Sequence, residues 1–291
     1  MVARSRWLGQ SSGRMLTIEK LRVAFPGRSG PVDAVRGVSL AVGREKLGIV
    51  GESGSGKSTV GRAVMGLLPP QAMVTAERLS FEEIDLCRAT RAQWRDLRGG
   101  RIGMVLQDPK YSLNPVMRIG DQIGECLRDH RGLRGRAAAE RVQDLLAAVR
   151  IRDPKRVAAA WPHELSGGMG QRAMIAMMLA GEPDLLIADE PTSALDVTVQ
   201  LQVLAILDDL VGERGMGLIF ISHDLELVAT FCDRVAIMYA GQIVEICAAA
   251  ELHAATHPYT RGLLGCLPRL DQPRARLQVL ARDPAWLEDR A

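Results

Sequence analysis

The residues Gly51-Glu52-Ser53-Gly54-Ser55-Gly56-Lys57-Ser58-Thr59 fit the spacing G-x-x-x-x-G-K-[ST] and follow a short apolar run, Leu47–Val50. In that order they make a phosphate cradle. Glycines let the backbone turn tightly and aim successive N–H groups at phosphate oxygens. Lys57 brings a positive charge to the β- and γ-phosphates, and the Ser58 hydroxyl is a ligand for Mg2+. Residues 58–68 contain no proline, so the spacing predicts a helix that begins at once and turns its positive end on the same anion. Downstream, Leu165-Ser166-Gly167-Gly168-Met169-Gly170-Gln171-Arg172 sets a hydroxyl and two glycine amides at the start of an apolar helix. That is a second anion site by the same physics or, read alone, simply a helix cap. Leu185-Leu-Ile-Ala-Asp189-Glu190-Pro191 is an apolar strand ending in two carboxylates. Burying an ionised carboxylate without a partner is costly, so the pair implies a cation or water at the strand end. The economical assignment gives Mg2+ to Asp189 and gives Glu190 the water that attacks a γ-phosphate; against it stands a plain capping role.

Three single residues are open to two readings each. Phe25, at the end of an alternating stretch, is a core aromatic or a platform for a nucleobase. Gln107, after the apolar run from Arg101, is a loop residue or an amide that reaches a metal or water beside the phosphates. His223 follows Gly217-Leu-Ile-Phe-Ile-Ser222; strand ends of open α/β sheets collect ligands, which favours a reach to the phosphates over a satisfied loop histidine. His253 and His257 lack a third ligand, and Pro258 follows directly, so they read as surface residues.

The elements that must position these groups are partly legible. Leu16–Phe25 alternates like a half-buried strand, and Val35–Val42 reads as its antiparallel neighbour. Residues 71–98 are charged and weakly patterned. Residues 118–150 read as helices around a basic loop, Arg131-Gly-Leu-Arg134-Gly-Arg136, in which no aromatic stands ready to stack on bases. A helix is expected from about Val197 to Val211, and Ala240-Gly241 turns one strand, Arg234–Tyr239, into the next. Pro268, Pro273 and Pro284 suggest a loosely ordered end, and residues 1–14 suggest a disordered leader or an upstream start.

Composition bounds the classes. The 291 residues carry a formal charge of +3, too small an excess to argue for nucleic acid. Five scattered cysteines, without a C-x-x-C pair, argue against a disulfide framework or a zinc site and fit a reducing cytosol. No apolar run approaches the roughly 20 residues of a membrane span.

Taken in order, the phosphate loop, Gln107, Leu-Ser-Gly-Gly, Asp189-Glu190, Ser193-Ala-Leu-Asp196 and His223 resemble the ATP-binding cassette of ABC transporters. The resemblance covers residues 15–250. His257-Pro-Tyr-Thr-Arg261 and Gln107-Asp-Pro-Lys-Tyr-Ser-Leu-Asn-Pro115 look like the subfamily that imports dipeptides, oligopeptides or nickel chelates. The resemblance implies an α/β fold: a P-loop NTPase core with an antiparallel β subdomain and an inserted α-helical subdomain at about residues 110–180, followed by an extension over 251–291. It implies that ATP and Mg2+ are bound, that Phe25 stacks on adenine, that Gln107 senses the γ-phosphate and helps hold the metal, and that His223 positions the attacking water. Ser166, Gly167 and Gly168 would act in trans, on nucleotide held by a second cassette. Two features depart from the pattern. Gly170 stands where similar importers carry a long side chain, which is expected to loosen the start of its helix and weaken the trans contact. Cys266, the last cysteine, stands alone where many relatives have a cluster.

The expectation is an ATPase subunit at the cytoplasmic face of the inner membrane, docked on two permease subunits and powering uptake of a peptide or related solute brought by an extracytoplasmic binding protein. No nucleic-acid partner is expected. A nickel or metal-chelate importer is the alternative within the class. A soluble ABC ATPase acting on nucleic acid or ribosomes is the rival outside it, although residues 60–164 lack the sustained heptads such proteins insert. A P-loop kinase would leave Leu-Ser-Gly-Gly without a purpose.

Overall fold

The computed structural model describes residues 13–109, 112–193 and 195–266, together with Trp286. Residues 1–12 of the expected leader, Ala194 of the Ser-Ala-Leu-Asp motif and the prolines of the tail lie outside the described residues. The chain divides into two compact units, residues 1–87 with 222–291, and residues 88–221.

The first unit opens with β1 (Leu16–Phe25) and β2 (Val32–Val42), paired antiparallel. Alternation drives β1: Leu16, Ile18, Leu21 and Val23 are buried. The pattern breaks at Lys20, which takes φ 49 in a bulge and donates its N–H to Ser39 Oγ at 2.9 Å. Beyond β3 (Lys46–Val50) comes α1 (Lys57–Val64), then β4 (Met73–Thr75), β5 (Arg78–Phe81) and β6 (Ile84–Asp85). These complete a sheet in the order β2-β1-β5-β6, with β4 also on β1. The weakly patterned stretch thus hides three strands of two to four residues, too short for alternation to register. The helix α1 also stops earlier than expected, because Gly66 at φ 59 turns the chain before Pro69 is reached.

After residue 222 the same unit adds α8 (Leu225–Phe231), β10 (Arg234–Tyr239), β11 (Gln242–Ala248) and α9 (Pro258–Cys266). The strand β10 runs parallel to β3 and antiparallel to β11.

The second unit holds α2 (Arg91–Leu97) and three parallel strands, β7 (Ile102–Val105), β8 (Leu185–Asp189) and β9 (Gly217–Ser222, paired with β8 through Ile221). All are buried, which suits strands covered on both faces. Between β7 and β8 lie α3 (Ile119–Arg131), α4 (Gly135–Ala148), α5 (Pro154–Ala159) and α6 (Gly167–Leu179); α7 (Val197–Arg214) joins β8 to β9. The basic loop between α3 and α4 is partly used at home. Arg131 pairs with Glu182 at 2.8 Å and Arg136 with Glu140 at 2.8 Å. Among the described residues no helix is long and apolar enough to cross a membrane.

Candidate functional site

The phosphate loop leaves β3 at Val50 and is pressed against backbone from two distant parts of its unit. A Cβ on Gly51 would stand 2.1 Å from the Met238 carbonyl oxygen of β10, and one on Gly56 would stand 2.4 Å from that of Ala34 in β2. Gly56 also takes φ 98, a conformation an L side chain resists. The Gly241 N–H donates to the Ser55 carbonyl at 3.0 Å, and Ser55 N–H to the Glu52 carbonyl at 3.2 Å. Gly56 ends the loop as the residue before α1 and offers that helix no side-chain cap, and the first turn holds no acidic residue. Its first N–H groups and positive end are therefore suited to an anion. Ser55 Oγ is buried and makes no hydrogen bond to the described residues. Lys57 is 4% exposed, and its ammonium donates to the carbonyls of Gly51 and Glu52, each at 2.8 Å. Ser53 is exposed, as is Gly54; Glu52, Ser58 and Thr59 are half-buried.

Two other candidates belong to the same unit. Phe25 closes β1, half-buried and paired with Val32. His223 is exposed directly after Ser222, whose Oγ accepts the Asp224 N–H at 3.0 Å. Asp224 in turn caps α8 by accepting the Leu227 N–H at 3.0 Å.

The remaining candidates belong to residues 88–221. Gln107 lies two residues past β7 and is exposed. Asp189 ends β8 and is only 4% exposed. Glu190, next in sequence, has φ 48 and donates its N–H to the Ile221 carbonyl at 3.0 Å. Its carbonyl accepts from the Ser193 hydroxyl at 3.1 Å, so the backbone that carries this carboxylate is fixed on both sides. A non-glycine residue with positive φ persists only where its surroundings impose it.

Ser166 precedes α6, and its Oγ accepts the Met169 N–H at 3.4 Å. Gly167 has open space around it, whereas a Cβ on Gly168 would meet Val199 Cγ1 at 2.5 Å. The second glycine is thus required for α6 to approach α7, which Asp196 caps through the Val199 N–H at 3.0 Å. At Gly170 the N–H reaches the Ser166 carbonyl at 2.8 Å and closes the first turn of α6. Further along α6, burial and the nearby Arg150 push the Arg172 guanidinium below its ordinary range, while it bonds the Arg150 carbonyl and Gln202.

A family model described as ABC transporter matches residues 35–193, more than half of the chain. The chain belongs to the ABC transporter family. It is an ATP-binding cassette that hydrolyses ATP. The dipeptide transport ATP-binding protein DppD of Bacillus subtilis (strain 168) is 46% identical over 93% of this cassette and 82% of its own length. The oligopeptide transport ATP-binding protein OppD of the same organism is 46% identical over 89% of this cassette and 73% of its own. Among solved structures, the dimeric post-hydrolysis state of the cassette MJ0796, bound to ADP and Pi, matches with a TM-score of 0.70. It is 26% identical and covers 81% of this chain and 99% of that one.

The sequence did not single out Ala34, Met238 or Gly241 as supports of the phosphate loop. They act through backbone atoms, so their side-chain types carry no signal beyond the turn at Ala240-Gly241.

Proposed function

We propose that this cassette is the ATP-hydrolysing subunit of an importer for dipeptides, oligopeptides or a related small solute. The observation that carries this reading is the near-full-length similarity to relatives named for dipeptide and oligopeptide transport. The partners are two permease subunits and a second cassette, the same chain or another, with an extracytoplasmic binding protein delivering solute. The cassette then works at the cytoplasmic face of the membrane without crossing it.

In this reading Gly51, Glu52, Ser53, Gly54, Ser55, Gly56, Lys57, Ser58 and Thr59 wrap the phosphates, and Phe25 lies against adenine. Lys57 exchanges its two carbonyl partners for phosphate oxygens, a charge-assisted pairing about twice as strong as a neutral one. Ser58, Gln107 and Asp189 offer hydroxyl, amide and carboxylate oxygens, the hard donor set that suits Mg2+. Bound there, the metal draws charge off the phosphates. Glu190 accepts the proton of the attacking water, and His223 contacts the γ-phosphate and orients that water. Ser166, Gly167 and Gly168 close on the nucleotide of the partner cassette. Ser166 already caps its own helix through Met169, so the trans contact draws on the glycine amides and the remaining capacity of the hydroxyl.

The test is co-purification from detergent-solubilised membranes with ATPase activity assayed on the same preparation. Two permeases and a second cassette are expected. Glu190→Gln is expected to keep ATP binding and lose about 100-fold or more in turnover in the assembled transporter, the range of a lost general base. Unchanged turnover would remove Glu190 from that role, and capture of ribosomes or DNA in place of permeases would overturn the transport reading.

A further inference from the structure

The His-Pro-Tyr-Thr stretch has no place in the hydrolysis just described, yet it reaches the phosphate loop. Tyr259, in the first turn of α9, is fully buried, and its hydroxyl accepts the Glu52 N–H at 3.2 Å. That N–H belongs to the peptide whose oxygen is the Gly51 carbonyl, and this oxygen accepts the Lys57 ammonium at 2.8 Å. The Gly51–Glu52 peptide is therefore held at both ends, by Lys57 on its oxygen and by Tyr259 on its nitrogen.

Tyr259 is itself firmly placed. Its ring lies 4.4 Å from that of Tyr239 and 5.8 Å from that of Trp286, centroid to centroid. The start of α9 is tied down by Glu245 of β11, whose carboxylate accepts the Thr256 N–H at 2.8 Å and the His257 N–H at 3.3 Å. His257 Nδ1 then accepts the Tyr259 N–H at 3.2 Å, so this half-buried histidine serves the helix start.

We propose that Tyr259 is a positioning residue for the phosphate loop, keeping the Gly51–Glu52 peptide in place once Lys57 has left it for a nucleotide. The proposal rests on the reading of this loop as the ATP site. In the empty loop both holds act, and losing one is cushioned by the other. In the loaded loop Lys57 pairs with phosphate, and the Tyr259 hydroxyl keeps its hold on that peptide. Its loss should therefore weaken the loaded state more than the empty one, which a purely structural hydroxyl would not do.

The experiment titrates the full-length chain with Mg-ATP and records melting with and without nucleotide, for wild type, Tyr259→Phe and Tyr239→Phe. The second variant removes a hydroxyl from the same aromatic cluster. The expected result is that Tyr259→Phe melts close to wild type when empty, binds Mg-ATP about three- to tenfold more weakly, and gains less from nucleotide on melting, while Tyr239→Phe binds as wild type does. Equal affinity of Tyr259→Phe and wild type, or equal weakening in both variants, overturns the proposal. Wild-type chain that binds no Mg-ATP overturns the site reading itself. Should Tyr259→Phe fail to fold, amide exchange on wild type decides: a Glu52 N–H protected in both states supports the hold, and one that exchanges freely with Mg-ATP bound sinks it.

Discussion

Gly54 and Gly56 are two residues apart in the phosphate loop and meet different constraints. Both have positive φ, 80 and 98, but a Cβ on Gly54 would meet nothing within 4 Å, whereas one on Gly56 would collide with the Ala34 carbonyl. Gly54→Ala incurs backbone strain alone, about 1 kcal/mol, while Gly56→Ala adds a clash with main chain that cannot swing aside. Chemical denaturation of the two variants should find Gly56→Ala the less stable by about 1–2 kcal/mol, with ATP affinity reduced about tenfold or more. The same contrast appears in the Leu-Ser-Gly-Gly motif, where open space surrounds Gly167 and Val199 crowds Gly168. Adjacent glycines that look equivalent in a motif thus serve solvent-side access in one case and packing in the other.

At the scale of elements, α9 is held to β11 through one carboxylate. Burial would raise the pKa of Glu245, but the buried Thr260 hydroxyl beside it and the hydrogen bonds from Thr256 and His257 outweigh that and hold it below the ordinary 4.5. A carboxylate with a depressed folded-state pKa contributes stability that is present above about 4.5, its unfolded value, and is lost as pH falls through the lowered folded value. Glu245→Gln still offers an oxygen to the helix start but without charge. It should cost about 1 kcal/mol at pH 7, a modest figure because the carboxylate is half exposed. Melting curves for variant and wild type should converge as pH drops below 4.5; a gap that stays constant with pH would show that the charge is not what matters.

Across the whole chain, the cysteines report on folding. Cys232 is buried, and loss of hydration pushes its thiol up to about 12, against a smaller opposing pull from Lys46. Between its unfolded value of 9.0 and about 12, the folded chain keeps a proton that the unfolded chain loses. This contribution to stability is therefore full below pH 9 and disappears as pH rises through 12. At pH 8, iodoacetamide should modify exposed Cys87 readily and Cys232 only when the protein opens, as peptide mass spectrometry would read. Rapid modification of Cys232 in the native protein would contradict that burial.

The family of this cassette and its ATPase activity were legible in its sequence because phosphate binding and water activation need particular side chains at particular spacings. Gly51 to Thr59, Ser166 to Gly168, and Asp189-Glu190 declare themselves by type and order. So did strands such as β1 and β8, through alternation and continuous burial. The short strands β4 to β6 did not, since two to four residues carry no period, and α9 was hidden behind a Pro-containing stretch that looked like surface. Tertiary structure alone decided which backbone groups brace the phosphate loop. Ala34, Met238, Gly241 and the hydroxyl of Tyr259 all lie outside the loop's own stretch of chain, and three of the four act through main-chain atoms common to every residue. A sequence records side-chain identity, and proximity between distant peptide groups exists only once the chain has folded.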